Sequence, residues 1–169
     1  MDRLKRARLG VLATGLAIAA GLLWYSPLRL GADQDGMRLE VSLSSRTMRV
    51  IENGEVVQTY GVAVGMPSNP TPTGSFHTGS IDWNPSWTPP PSNWAAGKQY
   101  QPPGSPDNPM QGVKIYFKAP WYFIHGTNNP GSIGAAASRG CIRMAEGDAV
   151  SLARRIERSG GSVPLEISE

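Results

Sequence analysis

The amino-acid sequence predicts a mainly β domain, of sandwich or barrel-like form, with a single helix near its carboxyl end. Three observations support this prediction. Short valine-rich runs alternate apolar and polar residues from residue 38 onward, an Asn-Gly pair separates two of these runs, and one segment, 146–161, has the periodicity of an amphipathic helix. A chain of 169 residues has the length of one folded domain.

The first strands are predicted in the runs RLEVSL, MRVIE and EVVQTYGVAV, which together form an antiparallel meander. Asn53-Gly54 lies between the second and third runs, and a two-residue hairpin turn of this kind needs positive φ at both positions. The run TPTGSFHTGSI predicts a further strand after a proline-containing turn.

Residues 82–112 are rich in proline, contain three tryptophans and follow no clear period. Long irregular insertions in compact domains are usually functional loops, and disordered linkers are usually poor in aromatic residues. We therefore predict that this segment packs on the domain as a lid, with a plain linker as the alternative.

The second half of the chain begins with two predicted strands, VKIYFK and WYFIH, and the second ends at His125. Residues 126–140 are small and turn-forming, so we predict a loop there. In the predicted helix, Val150, Leu152, Ala153 and Ile156 define an apolar face that ends at Gly160-Gly161, and SVPLEI predicts a closing strand.

The amino terminus has the pattern of an export signal, because four basic residues in the first eight precede an uncharged apolar run. We divide the chain into a signal peptide or membrane anchor (1–30), a linker (31–36) and a folded domain (37–169), to which the residues discussed below assign a catalytic role. The sequence leaves open whether residues 1–30 are cleaved from the mature protein. The expected location is the periplasmic or extracytoplasmic cell envelope, with the membrane as a partner if the segment is uncleaved.

The net charge of +3 comes from this amino terminus. The remaining residues hold twelve basic and twelve acidic side chains, without a basic stripe, so nucleic acid is not an expected partner.

Cys141 is the one cysteine of the chain, and an exported protein with one cysteine cannot form an internal disulfide. The thiol is either a buried packing residue or a nucleophile. A nucleophilic thiol usually needs an adjacent base or positive charge. Of the two histidines, His125 ends a predicted strand sixteen residues earlier, and the intervening loop is long enough to bring it to Cys141.

The flanking residues suit acyl transfer. Gly140 permits close approach of substrate, with its backbone N–H as a candidate oxyanion donor, while Arg139 and Arg143 favour thiolate or bind a carboxylate. A zinc site at Cys141, His125 and His77 is the rival interpretation, but paired ligand spacings are absent from the sequence. Neither a metal nor a cofactor is expected.

The segment IHGTNNPGSIGAAASRGCIRM, which contains His125 and Cys141, closely resembles the catalytic motif of the YkuD-type L,D-transpeptidases. The resemblance extends to TPTGSF, NPSWTPPPS and PGSPDNPMQG and covers roughly residues 37–168. It implies a β-rich catalytic fold that acts on peptidoglycan stem peptides in cell wall biogenesis and shape maintenance.

The same resemblance assigns the roles. Cys141 would attack the carbonyl of the third stem residue, diaminopimelate, release D-alanine, and pass the acyl group to another stem as a 3-3 cross-link. His125 would be the proton donor and acceptor, oriented by the backbone carbonyl of Gly126. Ser138 and Arg143 match substrate-pocket positions, and we place Arg139 beside them.

One position departs from the family pattern, because many members have histidine where this chain has Arg139. An arginine cannot act as a base at neutral pH, so the base role falls on His125 alone. The acceptor stays open between a second stem, a wall-anchored lipoprotein and water, the last giving L,D-carboxypeptidase activity. A sortase-like enzyme and a wall-binding module without catalysis are further alternatives.

Overall fold

The structure is a computed structural model that describes residues 36–169. The predicted export segment and residues 31–35 of the predicted linker lie outside the described residues. Within residues 36–169, no helix has the length and apolar character needed to cross a membrane.

The predicted meander forms one half of the first sheet. It consists of β1 (Met37–Ser42), β2 (Thr47–Glu52) and β3 (Glu55–Gly61), each antiparallel to the next. Asn53 and Gly54 have φ of 52° and 82°, as the predicted hairpin turn requires. Alternate residues of β1 are buried, which confirms the alternation in the sequence.

Two strands from distant parts of the chain complete this sheet. The closing strand β11 (Pro164–Ser168) pairs with β1 in parallel, and β5 (Gly74–His77) pairs antiparallel with β11. The strand order is β3-β2-β1-β11-β5. The meander is therefore extended by a parallel pairing that local alternation does not predict.

The second sheet has four strands in the order β10-β8-β7-β6. They are β6 (Ile81–Trp83), β7 (Gln111–Lys118), β8 (Tyr122–Gly126) and β10 (Ile142–Met144). β8 is antiparallel to β7, whereas β10 is parallel to β8. This parallel pair places the end of the cysteine-containing loop beside the strand that ends near His125.

The helix α1 (Glu146–Arg158) packs against β7 and β8. Its buried residues are Ala149, Leu152, Ala153 and Ile156. The sequence predicted Val150 in place of Ala149 on this face. Val150 is half-buried and packs against the same core. Acidic residues in the first turn and arginines in the last turn complement the helix dipole.

Both segments predicted as irregular contain regular structure. Strand β6 begins just before residues 82–112 and includes Asp82 and Trp83. Within residues 126–140 lies β9 (Ala136–Ser138), which pairs with the short strand β4 (Val64–Gly65). These short strands form by long-range pairing, which is why their local sequence shows no strand pattern.

Residues 84–110 are organised around Asn108, whose side chain is fully buried. Its amide donates to the carbonyls of Pro85 (2.8 Å) and Pro102 (3.1 Å), and its oxygen accepts from the backbone N–H of Met110 (2.8 Å). One buried side chain therefore joins the start and the end of the segment, so the segment is not an unstructured linker.

Candidate active site

The two faces of the second sheet have different chemistry. Its apolar face carries a row of four register-matched isoleucines, one from each strand: Ile142, Ile124, Ile115 and Ile81. Side chains alternate between faces along a strand, so the adjacent residues form a row on the opposite face. That row consists of Arg143, His125, Lys114 and Asp82.

Three members of the polar row, Arg143, His125 and Lys114, line a cavity of about 990 Å³. Cys141, just before β10, and His125 both line this cavity, so the fold brings together the two residues that the sequence predicted as a pair. Residues 84–110 and Trp121 contribute to its walls. Its cationic lining residues are Lys98, Lys114, Arg139 and Arg143, against one acidic residue, Asp107.

His125 is 2% exposed and its ring orientation is fixed. Nδ1 lies 2.8 Å from the carbonyl oxygen of Gly126, and because a carbonyl can only accept, Nδ1 donates the proton. A neutral imidazole in this tautomer has its free lone pair on Nε2. Phe123 contacts the ring edge-to-face at a centroid distance of 5.6 Å.

Gly126 is required by packing as well as by this hydrogen bond. A Cβ at this position would overlap the carbonyl oxygen of Gln111 on the neighbouring strand β7. The close approach of β7 and β8 at this point therefore accepts no side chain. The contact predicted between the Gly126 carbonyl and His125 is present, and its role in catalysis stays a prediction.

Burial lowers the pKa of His125 from 6.5 to about 4, and the positive charges of Arg143 and Lys114 act in the same direction. The carbonyls of Gly126 and Pro109 oppose this shift without cancelling it. The imidazole is consequently neutral at neutral pH, as a general base must be.

This lowered pKa predicts that the domain loses stability in mild acid. Between pH 6.5 and 4 the unfolded chain binds a proton at this position and the folded chain does not, so the free energy of unfolding falls by about 3 kcal/mol as the pH drops. Urea unfolding between pH 7 and 4 measures this loss. His125→Gln should reduce it, whereas His77→Gln at the exposed histidine of β5 should not.

The thiol of Cys141 is half-buried and not part of a disulfide. Its Sγ lies 3.5 Å from the carbonyl oxygen of Trp121, to which the thiol donates. Burial raises the pKa of Cys141 to about 11, although the Phe123 N–H and the charges of Arg143 and Lys114 favour thiolate. The free site therefore holds a neutral thiol and a neutral imidazole in one cavity, rather than a preformed ion pair.

Ser138 holds the loop before Cys141 in place. Its buried hydroxyl donates to the carbonyl of Cys141 at 2.5 Å and accepts the N–H of Gly140 at 3.1 Å. Gly140 has a φ of 104°, and a Cβ there would lie 2.6 Å from the ring of Tyr122. The oxyanion role predicted for the Gly140 N–H requires its bond to Ser138 to open, since that N–H already has a partner.

The two arginines predicted as substrate-binding residues lie in different surroundings. Arg143 is half-buried beside His125 in the polar row, and burial lowers its pKa. Arg139 is exposed, and its guanidinium stacks on Trp94 with Cζ 4.6 Å from the ring centroid. It also donates a hydrogen bond to Oδ1 of Asn69 at 3.4 Å. Arg139 therefore joins the cysteine loop to residues 84–110.

Lys114 and Asp82 are members of the polar row that sequence reasoning missed. The run VKIYFK could have indicated Lys114, because this charged residue alternates with the buried residues Val113, Ile115 and Phe117 and so points to the opposite face of the strand. Among residues 36–169, there is no group of three or more His, Cys, Asp and Glu side chains placed to hold a metal ion.

Solved structures identify the class of this fold. An L,D-transpeptidase from Mycobacterium smegmatis superposes with a TM-score of 0.63 at 18% identity, covering 79% of this chain and 58% of that chain. An LD transpeptidase solved in complex with imipenem superposes with a TM-score of 0.57 at 27% identity, covering 79% of this chain and 59% of that chain. The fold is that of an L,D-transpeptidase domain, which confirms the predicted fold class.

The sequence gives the family independently. The profile of the YkuD family, the L,D-transpeptidase catalytic domain, matches residues 36–165. The YkuD protein of Bacillus licheniformis is 36% identical over 139 residues, which are 82% of this chain and 72% of that protein. The chain belongs to the L,D-transpeptidase family, and its described domain is an enzyme domain of this type. It spans less than three-fifths of each of the two solved chains.

Proposed function

We propose that the protein is a peptidoglycan L,D-transpeptidase in which Cys141 is the nucleophile and His125 the proton carrier. The observation that carries this proposal is the shared cavity: it contains the one thiol of the chain and a buried histidine whose Nδ1 is fixed by Gly126. The cationic lining suits a stem peptide, which carries several carboxylates.

In the first half-reaction the Nε2 lone pair of His125 takes the thiol proton while Sγ attacks the carbonyl of the third stem residue. The C–N bond to D-alanine then breaks, and the proton on Nε2 passes to the departing amine, leaving a thioester on Cys141. In the second half-reaction an acceptor amine attacks the thioester, the C–S bond breaks, and a proton of the amine passes through His125 to the departing sulfur, which leaves a new amide and a free Cys141 thiol.

The neutral resting state fits this sequence of steps. A thiol with a raised pKa resists oxidation in an oxidising compartment, because the thiolate is the reactive form. Proton transfer to His125 then accompanies attack and does not precede substrate binding. Arg143, which lies beside His125 and favours the thiolate, is our candidate for binding a diaminopimelate carboxylate.

The experiment is to incubate the full-length chain with a disaccharide tetrapeptide and identify the covalent adduct and the products by mass spectrometry. We expect loss of D-alanine, a thioester on Cys141 and a 3-3 cross-linked dimer. A tripeptide without any dimer would show the alternative L,D-carboxypeptidase activity. Absence of both adduct and product from folded, reduced protein would refute the proposal, and would favour the binding module without catalysis.

We further propose that residues 84–110 control acceptor choice. They form one wall of the cavity, and Trp94 holds them to the cysteine loop through Arg139. If this wall excludes water from the thioester, Trp94→Ala should increase the ratio of tripeptide to cross-linked dimer several-fold while the rate of acylation changes less. Tyr100→Ala, at an exposed aromatic residue of the same segment, is the matched control. An unchanged ratio in Trp94→Ala would refute this role.

The amino-terminal basic and apolar pattern supports an extracytoplasmic location, where peptidoglycan is cross-linked. Either a second stem or a wall-anchored lipoprotein supplies the acceptor amine there. Fractionation of cells that express the chain, with protease added outside the cytoplasmic membrane, tests this location. Protection of the catalytic domain from protease in intact spheroplasts would contradict it.

A further inference from the structure

Lys114 lies next to His125 in the polar row of the second sheet. It is the register partner of His125 on β7, just as Arg143 is the partner of His125 on β10. Side chains at such positions stand about 5 Å apart at their Cβ atoms. The imidazole is therefore flanked on both neighbouring strands by a cationic residue.

The ammonium of Lys114 is held in place from several directions. Nζ lies 3.2 Å from Oδ2 of Asp82, 4.8 Å from the centroid of the Tyr116 ring and 5.3 Å from that of Phe123. Tyr116 and Phe123 are themselves in edge-to-face contact at 5.7 Å, and Phe123 also contacts His125. The lysine thus bears a fixed charge on the aromatic floor of the cavity.

This charge persists across the working pH range. Burial acts to lower the pKa of Lys114, but its interactions with Tyr116 and Asp82 outweigh burial and raise the pKa above 10.5. The side chain is 17% exposed, so water screens it less than a surface lysine. Asp82 is closer to solvent, with its side chain 45% exposed, and balances the charge only in part.

We propose that Lys114, held by Asp82, Tyr116 and Phe123, is a positioning residue whose fixed charge biases Cys141 and His125 towards thiolate and neutral imidazole. A nearby cation favours a negative sulfur and disfavours a positive ring. This role rests on the proposed function, in which these two residues exchange a proton.

The other groups around His125 are few. Arg143 on β10 acts in the same direction as Lys114, and more strongly. Cys141, just before β10, is the proton-exchange partner itself, and Tyr116 lies two residues after Lys114 on β7. Asp107 and the Pro109 carbonyl face the cavity from residues 84–110. On the helix side, Glu146 is exposed; its Cα lies near the backbone of Gly126 and its side chain near Gly112 of β7.

The chain allows both sites to be titrated without interference. It has two histidines, of which exposed His77 on β5 is an internal reference in a proton NMR titration of His125. It has one cysteine, so the pH dependence of iodoacetamide alkylation reports the Cys141 thiol alone. Both measurements use the full-length chain and need no substrate.

Lys114→Met keeps an unbranched side chain, one atom shorter, and removes its charge. We expect the pKa values of both His125 and Cys141 to rise, each by about half a pH unit or more, because one cation has been lost. Lys114→Arg keeps the charge and should keep both values near those of the parent. In a plot of the rate of acylation by imipenem against pH, the fall of the rate at low pH should begin at a higher pH in Lys114→Met and be unchanged in Lys114→Arg.

A packing role for Lys114 gives a different pattern. If Lys114→Met opened the site to water, relief of burial would raise the pKa of His125 but lower that of Cys141. Opposite shifts, unchanged values in Lys114→Met, or equal effects of the Met and Arg variants would each overturn the proposal. If Lys114→Met fails to fold, as judged by the His77 signal, Lys114→Gln takes its place. Failure of the parent to be acylated would refute the proposed function but leave these titrations interpretable.

Discussion

Cys141→Ser is expected to lose acylation by imipenem or a tetrapeptide at least about 1,000-fold, with no covalent adduct on the intact chain. A serine hydroxyl is far less acidic than a thiol, and an imidazole with a pKa of about 4 in the same cavity is a weak base for it. Mass spectrometry of the intact protein after incubation measures this loss directly.

The serine variant is the right control for structure, because its hydroxyl can still donate to the carbonyl of Trp121 as the thiol does. The midpoint of thermal unfolding should consequently change by no more than a few degrees. An adduct of full stoichiometry on folded Cys141→Ser would show that another side chain is the nucleophile, and would remove the central assignment of the proposed mechanism.

His125→Ala is expected to reduce the rate of acylation by about 100-fold to 10,000-fold, the range typical for loss of a general base. Within the described cavity no other histidine is present, and Arg139 stands where many family members have a second one. The rate should be measured by stopped-flow or by quenched mass spectrometry from pH 5 to 9, since the residual rate should rise with the thiolate fraction.

Two controls test whether the lost rate is due to removal of the His125 base. His77→Ala, on the first sheet, should acylate at the rate of the parent. Added imidazole should restore part of the rate in His125→Ala if the deletion leaves room for it. Substantial acylation by His125→Ala without added base would show that His125 is not the proton carrier.

The local pattern of the sequence was sufficient to predict most of the strands and the helix. Alternation predicted the strands around Val41, Val50 and Ile115, the Asn53-Gly54 turn followed from its φ requirement, and periodicity predicted the helix ending at Gly160. Each of these depends on residues within a few positions of one another. The pairing of Cys141 with His125 needed more than spacing, and came from resemblance to a family motif.

The sequence by itself determined that this chain contains a β-rich L,D-transpeptidase domain with one thiol and a candidate base. Only the tertiary structure decided what surrounds that pair: Lys114 and Asp82 in the same row as His125, Ser138 bonded to Gly140, and Arg139 stacked on Trp94. The physical reason is that alternation fixes which face of a strand a side chain occupies, whereas its neighbours depend on which distant strands pair. The parallel pairing of β10 with β8, two strands separated by residues 127–141, creates the site and leaves no periodic trace in the sequence.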